Sequence, residues 1–193
     1  MLKFLFRVYR KCCSILFWFA NKSQFKALGR GTRMVRQFRV DGGEGITIGQ
    51  NVFFQRGLWL YCRGVDNINA SLSIGSRCVF GYNNHITCVG SVMIGDDVLT
   101  ANNVYISDNI HCYENITTPV IKQPVKYKRS VEIGSGAWIG ENACIIGANV
   151  GRNSVIGANA VVTSDIPDYA VAVGIPAKVI KQYDSVQEKW LNR

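Results

Sequence analysis

Two histidines occur among the 193 residues, His85 and His111. Imidazole titrates near neutrality, so each is a candidate to take a proton from an attacking hydroxyl or amine. His111 stands in S-D-N-I-H-C-Y-E-N, within a long stretch from Ser107 to Glu132 that also holds two prolines and several lysines. Asp108 and Glu114 flank it as candidates to orient the ring, and a backbone carbonyl would serve as well. Cys112 invites comparison with a thiol nucleophile, but adjacent residues on an extended chain point to opposite sides. His85 lies in G-Y-N-N-H-I-T-C-V-G. With Asn84 and Tyr82 beside it, and Tyr113 beyond His111, it offers hydrogen-bonding and stacking groups to a substrate; each also has a plain role as a corner or covering residue. A zinc site built on three histidine ligands needs one more than the chain has, so no metal is expected.

The elements that must hold these groups announce themselves by a six-residue period. Aliphatic-glycine steps recur at Ile48-Gly49, Ile74-Gly75, Phe80-Gly81, Ile94-Gly95, Ile133-Gly134, Ile139-Gly140, Val150-Gly151 and Ile156-Gly157. Just before the small residue that follows each step come Asn51, Asn83, Asp97, Asn103, Gly136, Asn142, Asn153 and Asn159, with Arg77 as the exception. Asn, Asp and Gly tolerate positive φ, so the chain turns a left-handed corner at each. Between corners there is room only for short strands with one inward aliphatic. Three strands and three corners predict a coil of roughly 18 residues, and stacked coils predict a three-sided, all-β prism of parallel strands. The period slips between Ile86 and Ile94 and between Ile145 and Val150, holds a polar Thr100 at an aliphatic place, and lapses altogether from Ile106 to Ile133. The lapse is where chemistry is expected, because loops on a rigid scaffold commonly carry function.

The run from Val131 to Ile180, V-E-I-G-S-G-A-W-I-G through P-A-K-V-I, resembles the C-terminal half of the hexapeptide-repeat acyltransferases. Within them it is most similar to the sugar O-acetyltransferases of the maltose/galactoside and polysaccharide-modifying type. The resemblance continues upstream through I-G-D-D-V-L-T-A-N-N-V-Y-I-S-D-N-I-H-C-Y-E-N and more faintly to Ile46. It implies a left-handed parallel β-helix, a homotrimer with sites between neighbouring prisms, and acetyl-CoA as donor. His111 matches the place of the general base; where many members carry a further histidine two residues earlier, this chain has Asn109. Trp138 matches a tryptophan at the thioester end of the donor cleft, Gly140, Ala158 and Thr163 match cleft-lining positions, and Lys178 and Lys181 match basic positions near the nucleotide. Ser164 replaces a frequent lysine. The implied acceptor is a sugar hydroxyl of a bacterial glycan or its precursor, for which the residues themselves offer His85, Asn84, Tyr82 and Tyr113 as candidate contacts. An amino group on a nucleotide-linked amino sugar is the alternative.

Composition agrees with one domain and an appendage. A chain with 48% hydrophobic residues can bury a sizeable core, and a net charge of +9 favours acidic partners such as coenzyme A phosphates or an anionic membrane. No nucleic-acid partner is expected, because the basic residues fall in no recognisable binding module. Seven cysteines without paired spacing suggest reduced thiols and a cytoplasmic location, peripheral at the inner membrane face. Residues 1–39 form a basic segment whose first 20 residues read as an amphipathic helix for membrane contact; its apolar run is too short to cross a bilayer, and no signal-peptide cleavage site follows. Its rival role is to cap the open end of the prism. The β-helix is expected over residues 40–183, with a loop insertion at 107–131 and a tail at 184–193.

Overall fold

The computed structural model describes residue 12, residues 15–35 and residues 37–193. The basic face expected from Lys3, Arg7, Arg10, Lys11 and Ser14 therefore lies outside the described residues. Every corner expected from the period is present. Asn51, Asn83, Asp97, Asn103, Asn142, Asn153 and Asn159 hold φ between 49° and 58°, and Arg77 takes 61° despite its long side chain.

The corners wind the chain into a left-handed parallel β-helix with three faces. The first stacks Ala27–Leu28, Ile46–Ile48, Ser71–Ile74, Ser91–Ile94 and Val131–Ile133, extended by bridges at Val150 and Ile166. The second stacks Arg33–Met34, Phe53–Phe54, Val79–Phe80, Leu99–Thr100, Trp138–Ile139, Val155–Ile156 and Ala170–Val173. The third stacks Arg39–Asp41, Trp59–Cys62, His85–Cys88, Tyr105–Ser107, Cys144–Ile146 and Val161–Val162. In each coil the inward residues stand six apart. Ile48, Phe54 and Leu60 lie below Ile74, Phe80 and Ile86, then Ile94, Thr100 and Ile106, then Ile133, Ile139 and Ile145, and none is more than 2% exposed. Burying such an aliphatic side chain stabilises by about 1.5–3 kcal/mol, so stacking alone supplies the core. Thr100 keeps the register, its hydroxyl accepting the Gly81 N–H at 3.3 Å.

Three expectations need correction. Coil length is not uniform: the paired positions Ile48, Ile74, Ile94, Ile133, Val150 and Ile166 give steps from 16 to 39 residues, with the excess at the corner from third face to first. The β-helix also begins before residue 40, because Ala27–Leu28, Arg33–Met34 and Arg39–Asp41 already form a coil paired in register with the next. Residues 184–193 are no free tail: Lys189–Asn192 pairs antiparallel with Lys178–Asp184, which itself pairs with Ala170–Val173. Residues 15–21 are helical and lie over the first coil. There Phe17 meets Phe38 edge-on at 5.9 Å, and the Trp18 indole N–H donates to the Leu28 carbonyl at 2.6 Å.

Candidate functional site

The lapse in the period folds into an arm whose root is a short antiparallel hairpin, Asn109–His111 against Val125–Tyr127. Its root is fixed from below. The Asp108 carboxylate is fully buried and accepts the Val89 N–H at 2.9 Å and the Gly90 N–H at 2.8 Å, while its backbone carbonyl accepts the Lys128 N–H at 2.8 Å. Gly90 is required there, because a methyl group would overlap the Tyr127 ring. Asp108 is thus spent on anchoring and does not orient His111. Glu114 does not either: it accepts the Tyr113 N–H at 3.0 Å and faces Lys126 at 3.9 Å. Asn109 donates to the Asp108 carboxylate at 2.9 Å and to the Thr87 hydroxyl at 3.2 Å. The His111 ring is exposed and makes no hydrogen bond to another described residue.

The hairpin overhangs the third face and closes a cavity of about 290 Å³. Trp59, Tyr61, His85 and Tyr105 line it from the face, Val65 from the corner below, and Asn109, Ile110, His111 and Val125 from the hairpin. Both histidines therefore reach one cavity. Their approach follows from register: Arg39, Trp59, His85 and Tyr105 occupy the same outward place on successive coils. The His85 ring stacks on Trp59 at 4.1 Å, tilts against Tyr105 at 5.3 Å, and Arg39 covers the Trp59 ring at 4.5 Å. Burial, helped by the Arg39 charge, holds His85 below its ordinary pKa and keeps it neutral. Its Nε2 is buried without a hydrogen-bond partner among the described residues. Trp59, Tyr61 and Tyr105 were not singled out from sequence, although Trp59 and Tyr105 precede the inward Leu60 and Ile106 as His85 precedes Ile86.

The remaining acceptor candidates lie elsewhere. Asn84 is a correction: it is 1% exposed and its amide donates to the Gly81 and Ala101 carbonyls at 2.8 and 2.9 Å, closing a corner from inside with no donor left for a ligand. Tyr82 is exposed on that corner and Tyr113 on the arm; neither lines the cavity. Among the donor candidates, Trp138 is 50% exposed on the second face, above Val79 and Leu99. Gly140 is buried at the next corner, packed against the Ala158 amide of the following coil. Ala158, Thr163, Lys178 and Lys181 are exposed, and none of these six lines the cavity of His111.

A family model described as the hexapeptide repeat of succinyl-transferase matches residues 71–108 and 130–164. WbbJ of Escherichia coli, named as a candidate O-acetyl transferase of lipopolysaccharide biosynthesis, is 33% identical over 173 residues, covering 83% of this chain and 84% of its own. The chain belongs to the hexapeptide-repeat acyltransferase family. A second member, Rv3034c of Mycobacterium tuberculosis, named a probable acetyltransferase, is 40% identical over 129 residues. That match covers 65% of this chain and 43% of the relative, so the chain spans less than half of that longer protein. Among solved structures, AntD, an N-acyltransferase from Bacillus cereus in complex with dTDP and coenzyme A, superposes with a TM-score of 0.72. At 19% identity, over 84% of this chain and 87% of AntD, that likeness shows a shared fold alone.

Proposed function

We propose that the protein moves an acetyl group from acetyl-CoA to a sugar hydroxyl of a bacterial glycan or its precursor, with His111 as general base. The observation that carries this reading is one cavity receiving two imidazoles of unlike character. His85 is half-buried, stacked and neutral, suited to line the acceptor side of the cavity; His111 is exposed and without a hydrogen-bond partner among the described residues, suited to move a proton. As the acceptor oxygen attacks the thioester carbonyl carbon, its proton passes to His111. The C–S bond then breaks, and the imidazolium returns that proton to the departing thiolate. Backbone N–H groups near the donor cleft are candidates to hold the oxyanion.

The donor reading rests on Trp138 of the second face, Gly140 and Ala158 at its next corner, and Lys178 and Lys181 on the antiparallel strand Lys178–Asp184, with Thr163 just past the last strand of the third face. The cavity of His111 opens on the third face instead, which favours a homotrimer in which the hairpin of one prism meets the second face of its neighbour. The O-acetyl naming of WbbJ supports an ester product. Acetate released by mild alkali confirms ester; acetate that survives alkali moves the acceptor to an amino sugar. His111→Ala is expected to lower acetyl transfer by about 10²- to 10⁴-fold with folding unchanged. Near-normal turnover of that variant, measured as thiol release from acetyl-CoA, removes His111 from the mechanism.

A further inference from the structure

The charge of this chain is not spread over it. Residues 1–63 hold twelve Lys and Arg against two acids, while residues 64–193 hold ten against eleven. Among the described residues of the helix and the first two coils, seven Lys and Arg stand against two acids, so this end of the prism is basic. Lys22, Lys26, Arg30, Arg56 and Arg63 are exposed there, and none makes an ion pair with another described residue. Beside these cations the helix of residues 15–21 has two unlike sides. Phe17 and Trp18 pack inward on the first coil, while Leu16 and Phe19 face outward with 69% and 63% of their surface exposed. Apolar side chains projecting from a basic surface match the boundary between anionic headgroups and acyl chains.

We propose that this basic end of the prism docks on an anionic lipid surface. Lipid is the occupant the observations favour, because Leu16 and Phe19 gain nothing from a phosphodiester backbone but are removed from water by acyl chains. The consequence for chemistry rests on the acceptor reading above. The column Trp59, His85, Tyr105 occupies coils two to four, so at ~4.8 Å per coil the cavity stands roughly 5–15 Å above the first coil. A sugar carried on a lipid reaches it without leaving the surface, which makes membrane-bound glycan the substrate class.

The test is co-sedimentation of the full chain with vesicles of pure phosphatidylglycerol and of pure phosphatidylcholine. Binding to the first and not the second, falling as salt rises, is expected. Leu16→Ser with Phe19→Ser, and Lys26→Glu with Arg30→Glu, should each lower the bound fraction at least about tenfold. Unchanged melting temperature and unchanged transfer to a soluble sugar show that the variants fold. Full binding by either double variant, equal binding to both lipids, or binding to neither overturns the proposal. So does duplex DNA that strips the protein from vesicles and loses its own binding in the same variants. Vesicle binding that persists while His111→Ala retains activity sinks only the cavity reading.

Discussion

On the proposed reading, the two imidazoles of one cavity divide between holding and proton transfer, and the environment of each sets its share. His85 lies between Trp59 and Tyr105 with Nε2 buried and without a partner among the described residues, and burial drives its pKa down. A group with a lowered folded-state pKa contributes stability that is present above its ordinary value of 6.5 and is lost as pH falls below it, because unfolding then takes up a proton. His85→Phe keeps an aromatic ring in the stack and removes both nitrogens. That variant should show a melting temperature that falls less than the parent's between about pH 7 and about pH 5. If His85 holds the acceptor, the same variant should also raise KM about tenfold with kcat little changed. Equal pH slopes in parent and variant would leave His85 without its assigned burial effect; unchanged KM would remove it from acceptor binding. His111 was legible in the sequence as the one imidazole inside the interruption. The work of Asp108 was not, because a carboxylate three residues away reads as readily for orienting a ring as for anchoring a turn.

At the scale of the element, the hairpin is held by contacts between side chains and distant backbone that no sequence period encodes. Gly90 and Tyr127 lie far apart in sequence, and their contact exists only because the arm folds back on the coil beneath it. Gly90→Ala should therefore push Tyr127 outward, displace His111 and lower kcat by about 10²-fold, the order expected from a misplacement of ~1 Å. The coils should remain folded, since the atoms nearest the added methyl all belong to Tyr127 of the hairpin, and limited proteolysis should cut the arm between 112 and 124 faster than in the parent. Full activity in that variant would show that the root does not set the position of His111. The corners themselves were legible because each needs positive φ, and they gain further from register. The Asn83, Asn103, Asn142 and Asn159 amides bond in a ladder, each Nδ2 donating to the next Oδ1 at 3.1–3.2 Å. The opening coil was missed although Leu28-Gly29 and Gly31 repeat the step and corner of Ile48-Gly49 and Asn51. Met34 and Val40 carry no glycine after them, so the period shows once and then fades.

For the whole molecule, the second face bears a vertical strip of Val79, Leu99 and Trp138, exposed by 39%, 46% and 50%. Alternation within short strands made these outward residues legible; what covers them depends on a second surface that one chain's pattern cannot name. The proposed homotrimer covers the strip with the neighbour's third face and assembles each site from two protomers, one giving His111 and the other Trp138. Mixing separates this from a site built within one chain. His111→Ala and Trp138→Ala should each be nearly inactive alone. Co-expressed, they should regain activity at roughly a quarter of their sites, the chance that an intact hairpin meets an intact second face in a cyclic assembly. Recovery needs no refolding of either variant, only a shared interface, and light scattering of the mixture at trimer mass checks that interface directly. Assembly at trimer mass with no recovered transfer would place base and donor cleft on the same protomer, and the facing of second on third face would have to be abandoned.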